Sequence, residues 1–334
     1  MIYFHSDTIN SMYDLIIIGG SAAATTAGIY AARRGLNFKI VTKEFGGEVA
    51  TSGEIGNWPG YGNTDGLALA AKFKDHLKQY NIDLEEGVHV TKILKKEDGV
   101  FCITADKDGQ PANAMEAMFD GKENVLRCDY EAKAVIVATG VHPKELNVPG
   151  EKEFRARGVT YCTTCDGPLF IGKETTVIGG GNSALEAGLM LADLASKVYM
   201  VNKNAQYKGD HILLDKLQKK PNVEFIYNAM TKEVLGDQMV MGIKYEIGGE
   251  IKELKTAGIF IHIGNIPNSS IVPPEVKKNS FGEIMVNEHC ETNIPGLYAA
   301  GDVTNVPFNQ IVIAAGQGCL AALSVVQYLN KNIK

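Results

Sequence analysis

Cys162 and Cys165, in the run Cys162-Thr163-Thr164-Cys165-Asp166, are the residues of this sequence best suited to chemistry. Two thiols at C-x-x-C spacing close a small disulfide ring and exchange with another disulfide through a mixed disulfide, one thiolate attacking and the other resolving. The same spacing is half of a zinc site, but a structural zinc needs four ligands and the other cysteines, Cys102, Cys128, Cys290 and Cys319, are scattered singly. Redox use follows, with those four expected to stay reduced and to pack as small apolar residues. Asp166 could carry a proton to or from a departing thiolate or could cap a helix or turn; its type fits both tasks. The histidines form no close pair such as H-x-x-x-H, so no metal site is expected.

The elements around the dithiol are those of nucleotide binding. A short apolar run, Tyr13 to Ile18, leads into Gly19-Gly20-Ser21-Ala22-Ala23-Ala24 and an alanine-rich helical stretch to about Arg34, and a second strand, Phe38 to Val41, closes the unit. The grammar recurs as Glu174 to Ile178, Gly179-Gly180-Gly181-Asn182-Ser183-Ala184, a helix to about Leu194 and a strand Lys197 to Val201. In such a turn the first glycine makes the bend, the next fingerprint glycine lets backbone approach a pyrophosphate, and the helix start supplies N–H groups. One glycine-rich turn is weak testimony; two, each between a strand and a helix, point to two dinucleotide sites. The turn Gly19 to Ala24 is the candidate for the first site, and the turn with Gly179, Gly181, Asn182 and Ser183 for the second. Ser21 stands where the first unit should have its fingerprint glycine, narrowing the approach while offering a hydroxyl to a phosphate.

The ribose partners are less regular. No acid ends the second strand of the first unit at Val41-Thr42, and Glu44 sits two residues beyond. The second unit's strand ends Asn202-Lys203-Asn204, with neither an acid for a free 2′-hydroxyl nor an arginine cluster for a 2′-phosphate. Lys203 and Lys208 could meet a phosphate or stand as solvated lysines.

The 334 residues suit about two domains. Apolar residues at 45% and charged residues at 22% fit a globular chain, and 36 glycines mark many tight backbone positions. Net charge is −6 without a basic run, which argues against nucleic-acid or anionic-membrane partners. Met1 to Met12 is polar and mixed, and apolar runs such as Leu15 to Ile18 are too short for a membrane span, so a cytoplasmic protein is expected. Links follow Ala138-Thr139-Gly140 and the strand Gly258 to Ile263, and the tail carries Gly301-Asp302 and a helix from about Asn309 to Leu329. The expected fold is α/β, with two Rossmann-like three-layer dinucleotide-binding domains, the second inserted in the first: residues 1–143 with 258–334, and 144–257 with the C-x-x-C. The polar stretch Lys107 to Lys122 reads as a hairpin loop without an assigned role.

Phe45-Gly46-Gly47-Glu48, Gly53-Glu54-Ile55-Gly56-Asn57-Trp58-Pro59-Gly60, Ala138-Thr139-Gly140, Cys162 to Gly167, Gly179 to Ala184 and Tyr298-Ala299-Ala300-Gly301-Asp302-Val303 together resemble the low-molecular-weight thioredoxin reductases over about residues 13 to 330. The C-terminal half, with Cys290 to Asn293 and Phe308 to Ile311, is also similar to the flavoprotein subunit of alkyl hydroperoxide reductase, whose N-terminal redox domain is not expected here. The resemblance implies FAD in the discontinuous domain: Gly19, Gly20 and Ala24 by the pyrophosphate, and Gly46, Gly47, Glu48 and Asn57 lining the flavin, with Ser21, Thr42 and Glu44 also expected at the cofactor. Val90 would meet the adenine, Ala138, Thr139 and Gly140 would flank the cofactor, and Gly301, Asp302, Gln310 and Ile311 would serve the ribitol and ring. It implies that Cys165 is the thiol nearer the flavin, Cys162 attacks the partner and Asp166 donates the proton. Two departures stand out: the family's Gln is Glu48 here, and its arginine-bearing phosphate loop is Asn202 to Lys208.

The implied function is FAD-dependent dithiol/disulfide oxidoreduction of thioredoxin or a similar small redox protein by a homodimer. NADH or NADPH would be the donor, with Asn202 and Lys203 at the nucleotide, and reduced ferredoxin or F420 are alternatives. Service to a peroxiredoxin system through an adaptor, and a non-catalytic flavin redox sensor, are the competing expectations.

Overall fold

Strand β1 (Tyr13–Ile18) buries Leu15 to Ile18 completely, as an apolar run between two parallel neighbours should. The computed structural model describes residues 12–52, 54–107 and 128–332; the expected loop beyond Lys107, and Gly53 of the glycine-rich motif, lie outside the described residues. After β1 come α1 (Ala22–Arg33), β2 (Phe38–Thr42), α2 (Gly47–Ala50), β3 (Glu54–Ile55), β4 (Thr64–Asp65), α3 (Gly66–Gln79), β5 (Leu84–Glu86), β6 (Val88–Lys95), β7 (Phe101–Lys107), β8 (Tyr130–Val137) and β9 (Val141–Pro143). There follow β10 (Val159–Thr160), α4 (Thr163–Asp166), β11 (Glu174–Ile178), α5 (Asn182–Ala192), β12 (Lys197–Val201), α6 (His211–Gln218), β13 (Val223–Ile226), β14 (Met230–Gly236), β15 (Val240–Ile247), β16 (Glu250–Lys255) and β17 (Gly258–Ile261). The chain ends through β18 (Asn265–Pro267), β19 (Leu297–Ala299) and α7 (Ile311–Asn332).

Of the described residues, those within Met1–Ala50, Leu67–His142 and Pro267–Lys334 form one unit, and those within Thr51–Gly66 and Pro143–Ile266 the other. In the first, strands run β5-β2-β1-β8, all parallel, and β8 pairs on its far edge with β7 at its start and with β19 at its end. One sheet face packs on α1 and α7 through Leu15, Ile17, Ala27, Ile136 and Val325, and the other buries Ile16, Ile93, Phe101 and Val135. Helices α1 and α7 approach so closely that a Cβ on Gly318 would lie 2.1 Å from the Ala23 carbonyl. The second unit repeats the plan. Its parallel sheet is β10-β17-β11-β12-β13, with α5 on one face and the antiparallel β14-β15-β16 sheet packing a core of Ile178, Val201, Val234 and Ile243.

Three expectations need correction. The sequence returns the chain to the first domain at residue 258, but β17 pairs with both β10 and β11 and therefore stays in the second unit. Residues 51–66, expected in the first domain, group with the second unit because the β3–β4 hairpin packs against α4. Cys102 and Cys128, expected to be reduced, are joined in a disulfide. The Asp129 N–H donates to the Ile103 carbonyl (2.9 Å) and its carboxylate accepts from the Ala105 N–H (2.9 Å), which turns the chain entering β8 back on Cys102. Cys290 and Cys319 are free.

Helix α7 is more apolar than its place in the sequence suggests. Ile311–Lys331, with a mean hydropathy of 1.6, is long and apolar enough by composition to cross a membrane, although in the fold it packs on α1.

Candidate functional site

Gly19 has φ +135°, and a Cβ there would lie 2.1 Å from the Ala138 carbonyl, so only glycine allows β1 to turn beside the end of β8. A Cβ on Gly20 would meet Thr42 Oγ1 at 2.6 Å, and the Gly20 carbonyl accepts the Gly46 N–H (2.7 Å). This draws Gly46 and Gly47 beside the turn. Ser21 does not keep its hydroxyl for a phosphate: it donates to the Gly46 carbonyl (2.7 Å) and so braces the turn. No side chain caps α1 and no acid stands in its first turn, which leaves its leading N–H groups a cradle for a pyrophosphate.

The turn Gly301 to Thr304 completes this side of the first unit. Gln317 of α7 accepts the Gly301 N–H (2.7 Å), and Thr304 donates to the Gly301 carbonyl (2.8 Å). Asp302 Oδ1 is buried without a hydrogen-bond partner. Burial, and then the charge of Glu48, push its carboxyl up to about 6. An unsatisfied buried acceptor of this kind fits a ligand hydroxyl.

Other residues expected at this cofactor divide into two groups. Thr42 is buried and donates to the Glu44 carbonyl (2.8 Å), while the Glu44 and Glu48 side chains are exposed. Thr139 donates to the Asn268 carbonyl (2.7 Å) and the Gly140 carbonyl accepts the Asn268 N–H (3.0 Å), so these two fix the crossing segment. Val90 lies in the buried core beside Ile93 and Ala105, and Gln310 and Ile311 stand at the start of α7. Asn57 is exposed in the segment that groups with the second unit, whereas Gly46 and Gly47 belong to the first.

The second turn repeats the first contact by contact. Gly179 has φ +156°, and a Cβ there would lie 2.2 Å from the His262 carbonyl; on Gly180 it would lie 2.8 Å from Asn202 Oδ1. The Gly180 carbonyl accepts the Lys208 N–H (2.7 Å). Gly181 faces open space, as a close-approach position should, and Asn182 accepts the Asp210 N–H (2.7 Å). Ser183 and Lys203 are exposed. Asn202, expected at the nucleotide, is 2% exposed and folds its own loop, donating to the Gln206 carbonyl (2.9 Å) and accepting the Asn204 N–H (3.1 Å). It is a loop brace rather than a side chain offered to a ribose.

Cys162 and Cys165 are joined in a disulfide at the start of α4, and the Cys165 N–H points at Cys162 Sγ (3.2 Å). Asp166 caps no helix with its side chain. Its Oδ2 accepts from Thr160 Oγ1, its Oδ1 is buried without a partner, and burial raises its pKa against the opposing effect of Thr160. A buried acid with a raised pKa, directly after the second cysteine of a C-x-x-C pair, is a residue type suited to proton transfer. Thr160 also accepts the Cys162 N–H (3.2 Å). Thr160, Gln317 and His262 carry no signal in the sequence, since their roles arise from contacts between distant segments.

The residues 13–318 match the family model described as pyridine nucleotide-disulphide oxidoreductase. The alkyl hydroperoxide reductase F protein of Escherichia coli is 39% identical over 95% of this chain, and an NADH dehydrogenase of Bacillus subtilis 39% identical over 96%. The chain spans 58% and 59% of the length of these two relatives. The crystal structure of thioredoxin reductase from Streptococcus pyogenes superposes with a TM-score of 0.86 at 33% identity, covering 96% of this chain and 99% of that one. Two matched dinucleotide turns, a disulfide ahead of the second and these likenesses lead to one conclusion: the chain belongs to the pyridine nucleotide-disulphide oxidoreductase family.

Proposed function

We propose that this chain is an FAD-dependent dithiol/disulfide reductase that delivers electrons to thioredoxin or a similar small redox protein. The observation that carries the reading is the Cys162–Cys165 disulfide followed directly by Asp166, whose pKa burial raises. FAD fits the first turn, with Gly19, Gly20 and the start of α1 at its pyrophosphate and Asp302 accepting a ribitol hydroxyl. When bound, it supplies the two-electron chemistry that links a reduced donor to a dithiol.

Once reduced, the Cys162 thiolate attacks the partner's disulfide, and the partner's departing thiolate takes a proton that Asp166 is placed to supply. Cys165 then attacks Cys162 of the mixed disulfide, re-forming the intramolecular bond and releasing the partner as a dithiol. The Cys165 N–H at 3.2 Å stabilises negative charge on Cys162 during this cycle. NADH and NADPH are the favoured donors because the second turn keeps its open Gly181 and its glycine bend. Half-exposed apolar residues of α7, including Val312 and Leu320, suit a homodimer contact, and a cytoplasmic working place accords with such donors.

Supply of a peroxidase system is the second reading, favoured by the 39% identity to the hydroperoxide reductase protein. The test is anaerobic: FAD-loaded protein is mixed with NADH, NADPH, reduced ferredoxin or F420, and flavin bleaching is followed together with reduction of thioredoxin. Bleaching by a pyridine nucleotide and catalytic thioredoxin reduction are expected. Bleaching without turnover on any protein disulfide would instead describe a sensor.

A further inference from the structure

We propose that His262 is a positioning residue for the dithiol, holding Thr163 so that the Cys165 N–H stays aimed at Cys162 Sγ. This rests on the dithiol reading above and extends it to a residue outside the C-x-x-C segment. Thr163 Oγ1 and His262 Nε2 are 2.7 Å apart, and Thr163 is 5% exposed. Thr163 is the first residue of α4, directly after Cys162, so anchoring it fixes the turn in which the Cys165 N–H approaches the sulfur at 3.2 Å.

The backbone of His262 is itself pinned. Its N–H donates to the Ile178 carbonyl (2.8 Å), and its carbonyl lies where a Cβ on Gly179 would be, 2.2 Å away. The imidazole is therefore delivered from the residue directly after β17, whose backbone N–H is bonded to β11. Burial holds its pKa at about 4, so it is neutral at working pH and acts through a hydrogen bond and not as a cation beside the thiolate. An N–H aimed at sulfur favours the thiolate form, and loosening that aim makes Cys162 harder to ionise.

The test uses the FAD-loaded full chain carrying Cys165→Ser, which keeps the backbone N–H and leaves Cys162 as the only thiol of the pair. The rate of iodoacetamide capture of Cys162 is followed against pH by mass spectrometry, with and without His262→Ala, His262→Gln and Thr163→Val. His262→Ala and Thr163→Val should each move the midpoint upward by about half to one pH unit, a three- to ten-fold loss of thiolate near neutrality. The double variant should move it no further than either single one, and His262→Gln, which keeps a hydrogen-bonding group, should reverse most of the shift. Unchanged midpoints in both single variants would overturn the proposal, as would a downward shift in His262→Ala. Should His262→Ala fail to fold, Thr163→Val and His262→Gln decide the question by the same measurement. If Cys162 proves inert at every pH in the parent, the dithiol reading fails instead, so the two failures are distinct.

Discussion

The two dinucleotide turns share a skeleton and differ in what they leave open. In each, a bend glycine sits against a carbonyl just past a neighbouring strand (Ala138, His262), the next glycine sits against a side chain at or just past the end of the other neighbouring strand (Thr42, Asn202), and its carbonyl accepts an N–H from the following loop (Gly46, Lys208). At the third position the first turn has Ser21, bonded to Gly46, whereas the second has Gly181 facing open space. The first cradle is braced, which suits a resident cofactor. The second is open, which suits a ligand that comes and goes.

The largest expected effect separates chemistry from cofactor retention. Cys162→Ser or Cys165→Ser should lower disulfide reduction on the order of 10³-fold or more while FAD stays bound, read by turnover and by flavin absorbance. Loss of flavin from these variants would mean that the dithiol segment holds the cofactor. Next come the bend glycines. Gly19→Ala and Gly179→Ala each force a Cβ against a carbonyl at 2.1 and 2.2 Å, and each should destabilise by about 2–4 kcal/mol in urea titrations. Only Gly19→Ala should lose FAD on gel filtration, and only Gly179→Ala should keep flavin yet stop responding to pyridine nucleotide.

A smaller contrast lies in pH. The Asp302 carboxyl is raised from 3.8 to about 6, so the fold binds more protons than the unfolded chain between those values, and stability falls as pH rises through them. The His262 imidazole is lowered from 6.5 to about 4, so the unfolded chain binds more protons and stability rises as pH climbs from about 4 to 6.5. In FAD-free protein, Asp302→Asn should remove the falling contribution and His262→Gln the rising one, each by about 1–3 kcal/mol across its window. Denaturation midpoints at pH 4.5 and 7 check both, and the same slope change from the two substitutions would refute the assignment. The least effect is expected at the nucleotide loop. Lys203→Arg should raise preference for NADPH by about two- to ten-fold in flavin-reduction rates, by adding a planar donor at an exposed position. Asn202→Arg should cost stability instead, because that amide is buried against Gly180.

The sequence was readable where local pattern and tertiary role coincide. Bounds at Tyr13–Ile18, Glu174–Ile178 and Lys197–Val201 follow from apolar runs stopped by glycine or polar residues. The dithiol and Asp302 are likewise apparent as residue types at strand or turn ends. What escaped depends on distant pairing. The place of β17 in the second sheet requires knowing its neighbours, and the inward turn of Asn202 depends on Gly180 lying beneath it. Helix α7 hid its apolar character behind interspersed Gly, Gln and Ser.

The second disulfide turns the cysteines into a gauge with three steps. Cys290, buried and with its thiol pushed up to about 11, and Cys319 are free, so the fully oxidised chain, unfolded without reductant, carries two titratable thiols. Under the proposed function, reduction of Cys162–Cys165 brings the count to four. Cys102 is 1% exposed within β7, so its bond to Cys128 offers an attacking thiol only the half-exposed Cys128 sulfur, and its opening gives six. Two, four and six thiols per chain thus distinguish a resting molecule, a charged one and one that has lost the clasp at the β7–β8 hairpin.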